Sequence, residues 1–364
     1  MQTLLGMTTV QLEQLAVNLG EKPFRGRQIS RWVYKDHAVE IEQMVNLPKA
    51  FQRKLADNYT IGHGQIVHKD VASDKTIKYL LSMGDNERVE TVWLPYAERV
   101  SVCLSTQVGC PVGCVFCATG QGGLARNMTA GEIVDQLLTA AADNPNRRIS
   151  HAVFMGMGEP MLNYDAVIGA VRLMIDEMGM SARHLTISTV GVAPGIRRLA
   201  REKLPLTLAV SLHAPDDALR EELIPTGRKW KLKEILDACR EYFTLTGRNL
   251  TFEYLMLADI NDSPEQARAL AALLGDLPGN VNLIPFNFVQ TAHGFHRPSN
   301  DRIREFREEL EAAGRVTTQR MERGRLISAA CGQLRSSRDA AEMDFDGLHD
   351  VDETAQYDAV EESE

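Results

Sequence analysis

The sequence contains no run of about 18 apolar residues, the least that would cross a bilayer. Its first residues, MQTLLGMTTVQLEQLAVNLG, lack the basic-then-apolar order of a secretory signal. These two absences lead us to expect a cytoplasmic chain with no membrane partner. Thiols stay reduced there, so the six cysteines are expected as ligands or catalytic groups rather than as structural disulfides. A second C-x2-C pair is missing too, which weighs against a zinc knuckle. The G-x-G-x-x-G fingerprint is also absent. GMGEP, residues 156–160, would have to continue into glycine, but position 161 is Met, so a dinucleotide site is not expected.

Basic charge is scarce overall, with 40 Lys or Arg against 49 Asp or Glu and a net charge of -9. The deficit sits in one place. Residues 339–364 hold 11 acidic side chains and no Lys or Arg, so the preceding 338 residues carry 40 basic and 38 acidic groups, a net of +2. An acidic, core-poor tail of this kind is expected to be disordered. The slightly basic body permits an RNA partner. Its charges cluster at Lys22, Arg25, Arg27, Arg31 and Lys35, at Arg147 and Arg148, at Arg197, Arg198 and Arg201, and at Arg315, Arg320, Arg323 and Arg325. Each cluster alone also reads as a solvated face.

With 364 residues and 44% hydrophobic side chains, the chain can build one large domain with a small companion. Residues 1–60 read as short amphipathic helices and form a small helical module; in RGRQISRWVYK, Ile29, Trp32 and Val33 share one stripe. Residues 61–96 alternate in the manner of strands and are expected as a hairpin linker. From residue 97 to 335 the pattern is strand, loop, helix, repeated. The strands are VSVCLS, HAVFMG, HLTIST, LTLAVSLH, LTFEYLML and VNLIPFN, each followed by an amphipathic stretch such as YDAVIGAVRLMIDEM. Six such units imply parallel strands with right-handed crossovers, an α/β fold that fits a partial (β/α)6 barrel of the TIM type. Residues 336–364 are the tail.

In such barrels the chemistry collects at the carboxyl ends of the strands. The cysteine loop follows the first strand, GMGEP the second, STVG the third and SLHAP the fourth, while PFN ends the sixth. Cys110, Cys114 and Cys117 form C-x3-C-x2-C, with Gly109, Pro111 and Gly113 supplying tight turns. Three thiolates suit a cubane iron-sulfur cluster with one iron left open, or else a structural zinc with a fourth ligand from elsewhere. Cys239 falls at helical spacing from Leu232, Ile235 and Leu236 and is expected in a core, whereas Cys331, beside Gly332, suits a reachable thiol.

The cysteine spacing, with Phe116 just before the last thiol, resembles the signature of radical S-adenosylmethionine (SAM) enzymes. More of the chain is similar to one branch of that superfamily, the RlmN/Cfr family of RNA methyltransferases. The matching stretches are EKPFRGRQISRW, Cys103 with the cluster motif, MGMGEPMLNYD, LAVSLHAPDD and RLISAACGQL. The resemblance implies a radical SAM barrel carrying one [4Fe-4S] cluster on Cys110, Cys114 and Cys117. It implies SAM contacts at Gly158, Glu159, Ser188, Ser211, Leu212, His213 and Asn287. It also implies two SAM molecules per turnover, one of which methylates Cys331. The other makes a deoxyadenosyl radical that activates the S-methyl group for addition to C2 of adenosine. Cys103 then resolves the protein–RNA thioether, and Glu90 is the implied proton acceptor. The implied partners are 23S rRNA and tRNA, gripped by the basic N-terminal helices with Trp32, and an external electron donor such as flavodoxin. The chain is expected to be a monomer. Two alternatives remain at this stage: methylation at C8 of adenosine, as in the Cfr branch, and a zinc-stabilised RNA-binding protein without catalysis.

Overall fold

The computed structural model describes residues 2–289, 293–320, 323–324 and 327–334. Arg325 and the acidic tail lie outside the described residues. In chain order the first elements are β1 (Gln2–Thr3), α1 (Thr9–Asn18), α2 (Phe24–Tyr34), α3 (Lys49–Ala56) and β2 (Tyr59–Thr60), followed by β3 (Gln65–Val71), β4 (Ile77–Ser82) and β5 (Arg88–Pro95). Then come β6 (Val100–Cys103), β7 (Gln107–Gly109), α4 (Ala118–Gln121), β8 (Leu124–Asn127), α5 (Ala130–Asp143), β9 (His151–Phe154), α6 (Tyr164–Arg172) and β10 (Leu185–Thr189). The remainder is α7 (Ala193–Glu202), β11 (Thr207–Ser211), α8 (Asp217–Leu223), α9 (Leu232–Thr246), β12 (Leu250–Met256), α10 (Pro264–Leu274), β13 (Gly279–Pro285), α11 (Asn300–Ala312) and β14 (Thr317–Gln319).

The six expected barrel strands are β6, β9, β10, β11, β12 and β13. They lie side by side and parallel, with β14 added in the same direction beyond β13. Helices cover the backs of the strands, so the strands are buried on both faces, which is why LAV in β11 reads as an unbroken apolar run. The sheet stays open. Its edges, β14 and β3, do not pair with each other, so the barrel is partial.

Residues 61–96 depart from the expected linker. β5 pairs antiparallel with β6, Val92 opposite Cys103, and β4 and β3 follow in turn, so these strands extend the barrel sheet itself. β4 and β5 are buried almost throughout, which polar-apolar alternation could not reveal, because a second layer covers the face the pattern marks as wet. Only β3 is exposed, and its His68, Lys69 and Asp70 keep that edge charged.

YDAVIGAVRLMIDEM also differs from one continuous helix: α6 ends at Arg172 and residues Leu173–Glu177 widen into a π-turn. That turn delivers Glu177 to the N-terminal module. Its carboxylate accepts from the Thr9 backbone N–H (2.8 Å), the Thr9 hydroxyl (2.5 Å) and the Ser30 hydroxyl (2.9 Å). Within the module α1 and α2 touch at Gly26, where any side chain would strike the backbone of Glu13.

A second tie is His63. Its Nδ1 lies 2.6 Å from Asp135 of α5 and its Nε2 lies 2.9 Å from the Ala38 carbonyl, so the ring bridges module and barrel as a doubly donating imidazolium. Burial opposes the charge, but the hydrogen bond to Asp135 and that carboxylate's charge hold the His63 pKa above its ordinary value of 6.5, with His37 as a neighbouring base. A folded-state pKa raised in this way contributes stability below the ordinary value, and that stability is lost as pH rises through the folded one. His63→Gln should therefore flatten the fall in Tm between about pH 6 and pH 8, as read by thermal unfolding across buffers. Equal slopes for variant and wild type would refute the bridge.

Candidate active site

β7 and β8 pair antiparallel at the mouth of the barrel and frame the cysteine loop between them. Gly109 has φ +79°, and a Cβ there would fall 2.0 Å from the Gly123 carbonyl, the same oxygen that accepts from the Cys110 amide at 2.7 Å. Only glycine allows that closure. Cys117 N–H then donates to Cys114 C=O (3.1 Å), and Ala118 N–H to Gly332 C=O (2.8 Å). The Thr119 hydroxyl donates to the Leu334 carbonyl at 2.5 Å. Through these last two bonds the cysteine loop carries the segment that bears Cys331.

Cys110, Cys114 and Cys117 line one large cavity together with Gly158, Glu159, Ser188, Ser211, His213, Asn287 and Cys331. A second cavity adjoins it, sharing Cys117, Asn287, Arg320 and Cys331, and this one reaches Cys103. Cys331 thus stands between the thiol trio and Cys103. Two expected residues do not border either cavity. Leu212 is fully buried in the main core, its side chain falling between the two cavity-lining neighbours Ser211 and His213. Glu90 is buried on β5 with its carboxylate 3.2 Å from Lys78 Nζ, although Val92 and Leu94, which share its face of the strand, do line the second cavity.

Electrostatics sharpen the picture. Burial pushes the thiol of Cys110 up to about 12 and that of Cys114 well above its ordinary range, and the neighbouring thiols add to the shift. Burial likewise raises Glu159, whose Oε2 accepts from Val190 N–H (2.8 Å) and Oε1 from Met161 N–H (3.0 Å). Anions are therefore costly on this wall until a cation arrives to offset them. His213, by contrast, is held neutral: burial first, and then the charge of Arg220, lower its pKa to about 3. Its Nδ1 accepts from Leu255 N–H at 2.9 Å, which leaves the proton on Nε2. Asn287 Oδ1 is buried with no hydrogen-bond partner among the described residues, an acceptor in want of a donor.

Sequence reasoning missed two groups. Glu253, in the apolar strand LTFEYLML, lines the large cavity, with Asn282 Nδ2 donating to it at 2.9 Å. Arg320, read from sequence as part of a surface cluster, lines both cavities and is raised in pKa by Cys331 first, then by Glu253 and Cys103. A carboxylate inside an otherwise apolar strand was a visible signal. For Arg320 there was none, since only the sheet brings it to the thiols.

Comparison with known proteins completes the account. Residues 104–271 match the model of the radical SAM superfamily, and residues 2–61 match the ribosomal RNA large subunit methyltransferase N-terminal domain. The chain is 44% identical to a probable dual-specificity RNA methyltransferase RlmN of Thermosynechococcus vestitus over 335 residues, 92% of this chain and 98% of that one. The chain belongs to the RlmN family. The counterpart from Moorella thermoacetica is 48% identical over 91% of this chain and 96% of its own. A crystal structure of a radical SAM methyltransferase from Sphaerobacter thermophilus superposes with a TM-score of 0.90 at 44% identity, covering 93% of this chain and all (100%) of that one.

As an RlmN-family member the protein is a radical SAM RNA methyltransferase, and the reading as a non-catalytic zinc protein falls. The superfamily implies a [4Fe-4S] cluster and SAM, and the wall fits both. Cys110, Cys114 and Cys117 as three protein ligands would leave one cluster corner open. The buried Glu159 carboxylate suits the ammonium of SAM, and the unpartnered Asn287 Oδ1 suits a hydroxyl donor. Among the described residues no helix is long and apolar enough to cross a membrane.

Proposed function

We propose that the protein methylates C2 of adenosine in 23S rRNA and tRNA, carrying the new carbon on Cys331 and releasing it with Cys103. The observation that supports this reading is the placement of Cys331 between two adjoining cavities, one walled by the cysteine trio and the other by Cys103. Cys110, Cys114 and Cys117 would hold the cluster. Gly158 and Glu159 would receive the amino group of SAM, and Ser188, Ser211, His213 and Asn287 its remaining polar edges. The bound cluster and SAM supply a 5'-deoxyadenosyl radical able to take hydrogen from an S-methyl group. One turnover consumes two SAM molecules, since the carbon and the radical come from separate ones.

What this chain's own residues do follows from the sulfur chemistry. Cys331 holds the carbon as an S-methyl group; after loss of one hydrogen atom its methylene radical adds to C2, and loss of the C2 proton and of one electron, which the oxidised cluster would accept, joins RNA and protein through a thioether. The proton leaving C2 needs an acceptor; Glu90, which the family resemblance implies for that role, lies on β5 behind the second cavity and would have to exchange its Lys78 partner to reach it. The Cys103 thiolate then attacks the Cys331 sulfur. The sulfur–carbon bond breaks, its electron pair is protonated to complete the methyl group, and a Cys103–Cys331 disulfide forms. The two sulfurs lose the two electrons that the carbon gains. A thiol reductant must reopen the disulfide, and an external one-electron donor such as flavodoxin serves the cluster. The enzyme works as a monomer in the cytoplasm.

The test is anaerobic reconstitution followed by reaction with an RNA hairpin and nucleoside mass spectrometry. We expect 2-methyladenosine together with released 5'-deoxyadenosine. A methyl group on C8 would instead place the chain with the alternative chemistry, and no deoxyadenosine under strong reductant would remove the reading altogether.

A further inference from the structure

At the carboxyl-end mouth of the barrel the cysteine loop carries the Cys331 segment, bonded onto it at Ala118 and Thr119, beside the large cavity. The second cavity leads the other way. It passes Cys103 and Cys331 and continues along β5 through Val92 and Leu94 to Tyr96, which lies beyond the end of β5 that pairs with the start of β6, Pro95 opposite Val100. Because β5 runs antiparallel, that end is the amino end of the barrel strands.

The far end of the cavity is cationic. The Tyr96 ring holds the guanidinium of Arg323 at 4.5 Å and that of Arg99 at 4.7 Å, and Arg147 Nη2 donates to the Tyr96 carbonyl at 2.6 Å. Arg323 Nη1 donates to the Pro95 carbonyl at 2.8 Å and lies 4.0 Å from Asp74, while its buried Nε has no partner among the described residues. Stacking on the ring leaves for phosphate oxygens those in-plane guanidinium donors that Pro95 does not take.

We propose that the target purine nucleotide reaches Cys331 from this amino end of the barrel, with Tyr96 presenting Arg323, Arg99 and Arg147 as the receptor for its phosphates. The inference rests on the RNA methyltransferase reading and adds the route and the gripping residues. An extruded base needs an apolar slot with backbone contacts at its lip. Val92 and Leu94 supply the slot, and the arginines the lip. Access from this side also lets a base meet Cys331 with Cys103 beside it and the cluster wall beyond.

Two measurements test it. The first uses a hairpin with 2-azidoadenosine at the target position, photolysed on the reconstituted enzyme and mapped by mass spectrometry. Crosslinks on the 92–99 stretch are expected, and crosslinks confined to the loops at 188–191 and 211–215 would overturn the route. The second compares Arg323→Ala and Arg147→Ala with wild type in RNA binding against salt. Each should weaken binding about tenfold and lower the salt slope by about one, with iron content and circular dichroism unchanged. Arg323→Lys should recover part of the salt slope. Wild-type affinity and slope in both alanine variants would overturn the receptor, whereas a wild type that methylates no adenine would overturn the function and not merely the route.

Discussion

Cys103→Ala enzyme, supplied with SAM, reductant and RNA, should stop with the RNA covalently attached to the peptide that contains Cys331. Cys103 ends β6, its strand fixed by pairing with Val92 of β5, and it borders the same cavity as Cys331. Without it no other described cysteine stands on the far side of Cys331 from the cluster wall, so the thioether has no sulfur to exchange with. Product release should fall to background while the adduct accumulates, visible as a shifted band on a denaturing gel and as a modified peptide by mass spectrometry. Cys331→Ala should yield neither adduct nor methylated RNA. The wild-type step is itself held back by burial, which pushes the Cys103 thiol up to about 12; the charge of Cys331 adds to this and Arg320 opposes it. The buried Arg320 guanidinium offsets only part of that rise. Normal turnover by the Cys103 variant would end the resolving role.

How far the sequence disclosed this site depends on how local each feature is. The cysteine trio is confined to eight residues, Cys110 to Cys117, so its chemistry is visible before any folding. The barrel strands are visible because each carries a short apolar, β-branched run between loop signals, most fully in LAV of β11, which is buried throughout. What escapes is whatever the sheet assembles at a distance. β5 looked like part of a linker, yet its antiparallel pairing with β6 sets Val92 opposite Cys103 and runs Leu94 and Tyr96 along the same cavity. Arg320 follows the last short strand, β14, three polar residues that no periodicity could flag. Leu212, which the resemblance implies as a SAM contact, keeps its side chain in the core while its neighbours Ser211 and His213 line the cavity, so the side chain gives that role no visible support. Glu90 was found by context alone, and its engagement with Lys78 became visible only when β4 and β5 paired, Leu80 opposite Glu90.

Cys110→Ala should remove the iron while leaving the fold, and this is the second large effect expected. Cys110, like Cys117, is only half-buried, so truncation opens little core; Cys114, by contrast, packs among Val112, Phe116 and Leu255. Two thiols cannot hold a cluster that needs three protein ligands. Iron and sulfide should drop to background, the brown absorbance near about 400 nm should vanish, and no 5'-deoxyadenosine should form. Far-UV circular dichroism should match that of wild type. Cys239→Ala supplies the contrast. That thiol is fully buried on α9 among Ile235, Leu236 and Ala238, and burial alone pushes it up to about 12. Its removal should cost stability of about 1 kcal/mol, as small core truncations do, and leave iron content and radical formation at wild-type levels. If Cys110→Ala kept a full complement of iron, the three-thiol wall would not be where the cluster sits, and the placement of Cys331 between that wall and Cys103 would lose its chemical meaning.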